Sequence, residues 1–431
     1  MNHATSTNCI FPVTNFTQVK DKVLNWANRF NTFCFLDNHH YRLNPHSIEC
    51  IMASGSIDSV KANTGSALLQ LQRFVSEKRK WLFGHLGYDL KNEIEDVCST
   101  HPDGVKFPDL FFFEPEVVIR FDEREMIIES EKEDEEKIFH EICSSENSNE
   151  IVSGPLQIQN RINKEEYLSI VKKLREHTLK GDCYEINFCQ EFFAEKITID
   201  PFAVYKKLSA ISPNPFSALY KIDSKYLLCA SPERFLRKQQ NKILSQPIKG
   251  TSKRINNKQQ DDESKKQLVN SSKDRSENVM IVDLVRNDLS KVCVEGSVKV
   301  NELFGIYSFP QVHQMVSTVT GILRNDVSFS EIIKATFPMG SMTGAPKKKV
   351  LQLIEQYEKT KRGIFSGAVG YINPDGDFDF NVVIRSIMYN QTNNYLSFQT
   401  GSAITFYSDP EQEWEECLLK AKAIKRVLET E

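Results

Sequence analysis

The stretch "SGAVGYINPDGDFDFNVVIRSIMYN", residues 366–390, carries apolar strand-like runs separated by a turn only a few residues long. So short a connection cannot hold the crossover of a dozen or more residues that parallel neighbours require. The neighbouring runs must therefore pair antiparallel. Further strand-like runs precede it, among them "CYEINFCQEFFAE", "FSALYKI", "KYLLCASPERFL", "KILSQPI" and "QMVSTVTGIL", and "NYLSFQTGSAITFY" follows. Helical patterns occur between groups of strands rather than after each one. The pattern predicts an α+β fold of antiparallel sheets with helices packed on them, not a parallel doubly wound sheet.

Composition narrows the function classes. The chain has 431 residues, 40% of them hydrophobic and 26% charged, with a formal net charge of −4. That is enough material for a sizeable core. The mild charge gives no reason to expect nucleic acid or an anionic membrane as partner. No apolar run approaches the roughly 18–20 residues that span a bilayer. The start, "MNHATSTNCIFPVTNF", lacks a basic segment followed by an apolar one, so a cytoplasmic location is the expectation. Ten cysteines without CxxC pairs predict reduced thiols. The histidines, including His39-His40, show no metal-ligand spacing. There is no GxGxxG after a strand, no GxxxxGK[ST] and no GxSxG, so nucleotide-binding and nucleophile-elbow readings lack support.

Three regions differ in texture. Residues 1–130 mix helices with aromatic-rich strands such as "KWLFGHLGYDL" and "PDLFFFEPEVVIRFD". Residues 131–160 begin as a charged helix and end as a polar linker. Residues 161–431 form the main region. It opens on a helix with Asn163 and Glu166 placed for a capping box and Gly181 at its end.

Several side chains stand out by position. Asp274 with Glu277, and Glu413 with Glu416, each lie three apart near a predicted helix start. Two such pairs could hold a hard cation such as Mg2+. Acidic residues also favour a first helical turn for the macrodipole alone, with Asp409 as N-cap and Pro410 at N1. The segment Gly340–Ala345 precedes an amphipathic helix with Pro346 fitting N1, and its N–H groups could meet an anion. A tight strand–helix connection needing glycine is the plainer account. In "FNVVIRSIMY", strand alternation puts Asn381, Val383 and Arg385 on one face, and the guanidinium needs a partner there. That partner is a substrate carboxylate or an ordinary acidic side chain. Lys249 in "SQPIKGTSKR" reads by itself as a solvated turn residue, and His313 as a core or surface histidine.

In order along the chain, "GDCYEINFCQ", "NPFSALY", "SPERF", "PIKGT", "KDRSENVMIVDLVRNDLSKV", "GSMTGAPK", "GAVGYI", "VVIRS" and "DPEQEWEECLLKAKAI" resemble the chorismate-utilising enzymes. The resemblance covers residues 160–431, with a looser match at "GHLGYDL". It implies large antiparallel sheets packed together, helices outside and an active site between the sheets. It further implies Mg2+ held by Glu277 and Glu416, with Asp274 and Glu413 acting through water. The cation would grip the ring carboxylate of chorismate. Arg385 would meet the enolpyruvyl carboxylate. Gly250, Thr251, Thr343 and Gly401 match substrate-lining positions, and His313 matches an active-site histidine.

Three positions bear on the reaction. Lys249 stands where the anthranilate-forming branch has alanine and the 4-amino-4-deoxychorismate-forming branch has lysine. In the latter the amine attacks C2 of the ring, ammonia adds at C4, and the lysine is expelled. Such a lysine needs a lowered pKa, from burial or a nearby cation. Glu233 in "SPERF" matches the general acid for the departing hydroxyl. Glu185 stands where water-adding members have lysine and amine-adding members usually have glutamine. "PFS" at 215–217 departs from the tryptophan-regulated pattern, so tryptophan inhibition is not expected. Ser402 and Ala403 replace glycines and add bulk beside the substrate. With no amidotransferase sequence in the chain, the resemblance implies a separate glutamine amidotransferase subunit as partner. The implied product leads to 4-aminobenzoate and folate.

Overall fold

The structure, a computed structural model, describes residues 9–45, 47–95, 97–146, 156–309 and 312–428. Short turns set its topology. Strands Phe216–Ile222 and Lys225–Ser231 are joined through Asp223 and Ser224, with Asp223 at φ 53. Positive φ in so short a loop suits the twist of a hairpin. Between Ala368–Ile372 and Phe378–Asn381, the Asn373 carboxamide accepts from the N–H groups of Asp375 and Asp377. The "NPDGDFD" turn is thus locked by its own first residue.

All strand pairs within the two sheets are antiparallel, as the short connections require. The first sheet runs Cys9–Pro12, Glu125–Ser130, Val117–Phe121, Cys50–Ser54, Thr32–Asp37, Phe216–Ile222, Lys225–Ser231, Ser386–Asn390, Tyr395–Ile404, Glu185–Ala194, Gly344–Ala345. The second runs Ile248–Lys253, Val312–Ile322, Lys242–Gln246, Arg234–Gln239, Phe378–Asn381, Ala368–Ile372, Leu82–Leu86, Leu110–Glu114, Asp58–Ala62. Thr32–Asp37 pairs with Phe216–Ile222, and Leu82–Leu86 with Ala368–Ile372. Strands from before residue 130 therefore lie inside both sheets. Residues 135–144 are helical, and residues 147–155 of the expected linker lie outside the described residues.

Alternation along the strands builds two cores. Cys34 points into the core between the sheets, while Phe33 and Phe35 point into the core beneath the outer helices. The first core continues under helices Ala67–Ser76, Ser272–Ser290 and Phe329–Thr336. The second is roofed by Phe16–Ala27, Lys164–Leu179, Pro201–Ile211, Lys347–Tyr357 and Pro410–Leu428. Each fully buried Phe contributes about 1.5–3 kcal/mol. No helix among the described residues is long and apolar enough to cross a membrane.

Helix starts follow their caps. Asn163 accepts from Glu166 N–H, Ser271 from Asp274 N–H, and Asp409 from Gln412 N–H with Pro410 opening its helix. Helix Lys258–Asn270 is absent from the sequence reading. It has almost no apolar stripe, burying only Leu268, and it rests on its Asn257 cap.

Two local expectations fail. "FNVVIRSIMY" is not one strand: Phe378–Asn381 belongs to the second sheet and Ser386–Asn390 to the first. Residues 382–385 cross between sheets, and Arg385 sits at φ 51, so strand alternation does not govern its direction. Pro346 is the N-cap, not N1. Leaving the short strand Gly344–Ala345, it keeps an extended ψ of 140°, and the helix begins at Lys347.

Candidate active site

The chain passes between the sheets at two adjacent places, and each carries a candidate residue. Glu233 lies between Lys225–Ser231 of the first sheet and Arg234–Gln239 of the second. Arg385 ends the return crossing. The two are stitched together: Val382 N–H donates to Glu233 O (3.0 Å), and Ala230 N–H donates to Arg385 O (3.2 Å). Antiparallel neighbours in both sheets thus hold both side chains between the layers.

Lys249 comes from the edge of the second sheet. It is not in a solvated turn but in strand Ile248–Lys253. Ile248 pairs with Val316 and Thr251 with Gln314, so one extra residue is accommodated between them. This is a β-bulge, with Gly250 at φ 89. Bulges re-aim side chains, and a left-handed residue here favours glycine. Lys249 Nζ donates to Glu185 Oε1 at 2.6 Å, with the two side chains 10% and 1% exposed. Glu185 is the first residue of its strand in the first sheet, so this ion pair bridges the layers.

The expected lowering of the Lys249 pKa is not found. Burial pulls it down, but the carboxylates of Glu185, Glu277 and Glu233 together carry it above the ordinary lysine value. The acids respond in turn. Burial pushes Glu233 up to about 7, against the opposing pull of Ser341, Lys249 and Arg385. Burial likewise pushes Glu277 up to about 7, against Lys249. A carboxyl group poised near neutrality can give or take a proton there.

Arg385 has no carboxylate within ion-pair distance among the described residues, and burial lowers its pKa. The ordinary acidic partner weighed for it is absent. Glu233 partly opposes that lowering.

The four acidic candidates lie on helices Ser272–Ser290 and Pro410–Leu428. Glu277 and Glu413 are buried, each with one oxygen lacking a hydrogen-bond partner, while Glu416 is 46% exposed and pairs with Lys420 at 2.8 Å. Lys249 and Lys273 act on both Glu277 and Glu416, so those two share one neighbourhood. Orphaned buried carboxylate oxygens suit a hard cation. No three of the four bring ligand atoms within 4.8 Å of one another. Among the described residues only Asp37, Glu49 and Cys50 do so, and there Lys20 already sits 2.8 Å from Asp37.

The remaining candidates take varied places. Gly401 pairs with Cys189, and a Cβ there would lie 2.2 Å from Phe188 O, so glycine is required by close approach. Thr343 is buried and its hydroxyl donates to Met339 O at 3.1 Å. Thr251 is exposed. The N–H groups of Met342 and Thr343 are taken by Met339 O and Gly340 O, so this loop is less open to an anion than expected. His313 is buried between Ser308 (2.8 Å) and Asp261 (3.1 Å) and has no hydrogen bond or ion pair with Lys249, Glu233 or Glu277 among the described residues. Ser402 faces Tyr167 on the helix side of the strand, so of the two bulky replacements only Ala403 shares the face of Gly401.

Two supports escaped the sequence reading. Arg362 pairs with Glu358 (2.6 Å) and donates to Asn187 O and Met342 O, tying the Glu185 strand to the Gly340–Thr343 turn. Charge runs such as "QYEKTKRG" usually signal solvent, and nothing in this one marks Arg362 as buried. Asp261, the partner of His313, lies on the unforeseen helix.

Residues 38–426 match the family described as chorismate binding enzyme. An anthranilate synthase component I-like protein of Synechocystis is 34% identical over 81% of this chain and 72% of its own. Aminodeoxychorismate synthase component 1 of Escherichia coli is 37% identical over 63% of this chain and 59% of its own. The crystal structure of anthranilate synthase component I from Streptococcus pneumoniae superposes with a TM-score of 0.76 at 24% identity, covering 87% of this chain and 92% of that one. The family match over residues 38–426 and the 34%-identical relative show that the chain belongs to the chorismate binding enzyme family.

Proposed function

We propose that the chain aminates chorismate at C4, giving 4-amino-4-deoxychorismate, with Lys249 as covalent nucleophile. The carrying observation is the buried Lys249 Nζ, aimed by the bulge into a site shared with Glu233 and Glu277. The neutral amine attacks C2 of the ring and a C2–N bond forms. The ring double bond shifts, the C4–O bond breaks, and Glu233 supplies the proton with which the hydroxyl leaves as water. Ammonia then attacks C4, the double bond shifts back, and the C2–N bond breaks to return lysine. The ammonium formed at C4 gives a proton to Glu233, restoring the acid.

Arg385 supports binding of the enolpyruvyl carboxylate. Glu277 and Glu416 would hold Mg2+, with Asp274 and Glu413 behind them through water. When bound, the ion supplies charge neutralisation at the ring carboxylate. Ammonia comes from a glutamine amidotransferase partner, the product serves 4-aminobenzoate and folate synthesis, and the setting is cytoplasmic.

The relatives carry both aminodeoxychorismate synthase and anthranilate synthase names, so anthranilate formation is the second reading. Incubation with chorismate, magnesium and ammonium separates the two. The 4-amino product, converted to 4-aminobenzoate only on adding a lyase, supports the proposal. Fluorescent anthranilate formed without a lyase overturns it.

A further inference from the structure

Glu185 has no role in the amination scheme above, yet it makes the shortest polar contact of the site. Its Oε1 lies 2.6 Å from Lys249 Nζ, and its Oε2 is buried with no hydrogen-bond partner. It is held rigidly. As the first residue of a strand it is flanked by Ala345 on one side, and the next residue, Ile186, pairs with Ile404 on the other. Lys249 is equally fixed by its bulge. Two buried groups so placed exchange a proton without any movement of the backbone.

We propose that Glu185 is the proton acceptor that frees the Lys249 amine. The inference rests on the amination reading. The step balances internally: the N–H bond of the ammonium breaks, the proton passes to a Glu185 oxygen, and the electron pair left on Nζ forms the bond to C2. When ammonia later expels the lysine, Glu185 returns the proton and the resting ion pair is restored. No solvent base is needed. Closing the substrate over the pair excludes water, and this favours the transfer because an ion pair loses more than a neutral pair when water is driven out. The orphaned Oε2 gives the carboxyl a second oxygen on which to hold the proton.

The acidic groups that interact with Lys249 are Glu185, Glu277, Glu233 and, from the last helix, Glu416; among the described residues only Glu185 accepts a hydrogen bond from it. The site therefore supplies one direct path for the proton.

The test compares the full-length chain with Glu185→Gln and Glu185→Asp. Chorismate and magnesium are added without ammonia, and the rate of covalent modification of Lys249 is followed by quenched intact-mass measurement from pH 6 to 9. Chorismate binding by calorimetry establishes that each variant keeps its site. The wild-type rate should fall only as Glu233 loses its proton through about 7. Glu185→Gln should bind chorismate and form adduct at least about tenfold more slowly at pH 7, and its rate relative to wild type should rise by about tenfold per pH unit, because its lysine must lose the proton to solvent. Glu185→Asp should keep the wild-type pH profile at a reduced rate. A Gln variant with the wild-type rate and profile overturns the inference while leaving the amination reading intact. An Asp variant whose rate relative to wild type rises with pH as the Gln variant's does overturns it as well. Absence of adduct on the wild-type chain overturns the amination reading itself.

Discussion

Lys249 Nζ lies 2.6 Å from Glu185 Oε1, joining the edge strand of the second sheet to the Glu185–Ala194 strand of the first. The contact brings the candidate nucleophile within electrostatic reach of Glu233 and Glu277, whose carboxyls are both pushed up to about 7. One cation and three acids from four different elements meet here, and each constrains the others.

Glu233→Gln should cut turnover by about 10²–10⁴-fold, the usual worth of a positioned general acid. In the wild type, turnover limited by this acid should fall as pH rises through about 7, where Glu233 loses its proton. Initial rates across pH 6–9 check both statements.

The same residue links pH to stability. Its folded pKa is raised from 4.5 to about 7, so the folded state keeps a proton that the unfolded state releases. Its contribution is fully present below about 4.5 and is lost as pH rises through about 7, by roughly 3 kcal/mol. Glu277 acts with the same sign. Urea unfolding should show stability falling between pH 5 and 8, with a smaller fall in Glu233→Gln.

Arg385→Ala should raise KM for chorismate by about 10- to 100-fold, because a charge-assisted hydrogen bond to a carboxylate is worth about 1.5–3 kcal/mol. Arg385→Lys should recover only part of this, since lysine cannot reproduce the planar fork. Steady-state kinetics at saturating ammonium check the effect.

Gly401→Ala should lower stability by about 1–3 kcal/mol, the usual penalty for overpacking. The added Cβ would lie 2.2 Å from Phe188 O, a backbone atom held in the ladder. Chemical denaturation measures the change directly.

Asp274→Asn should raise the magnesium concentration for half-maximal activity by about 10–100-fold, as loss of an outer-shell carboxylate typically does. Glu277→Gln should remove magnesium-dependent turnover. Full activity of Glu277→Gln at low magnesium would contradict the cation's proposed place.

Much of the architecture was legible in the chain. Turns as short as "NPDGDFD" leave only antiparallel pairing, and Asn163 and Asp409 cap the helices they precede. The inter-sheet crossing at 382–385 was not legible, because its apolar residues continue the texture of a strand and the break lies in one positive φ at Arg385. The direction of the Lys249 pKa was misjudged for a related reason. Burial was foreseeable, but Glu185, Glu277 and Glu233 converge on the lysine from distant parts of the sequence. His313 also depends on a distant partner, Asp261, from a helix without an apolar stripe.

Covalent capture tests the central claim most directly. Wild-type chain mixed with chorismate and magnesium, without ammonia, should gain the mass of chorismate less one water, and peptide mapping should locate it on Lys249. Lys249→Ala should gain nothing and should make at least about a hundredfold less 4-amino product. An unmodified wild-type chain that still converts chorismate and ammonium to the 4-amino product would contradict the account.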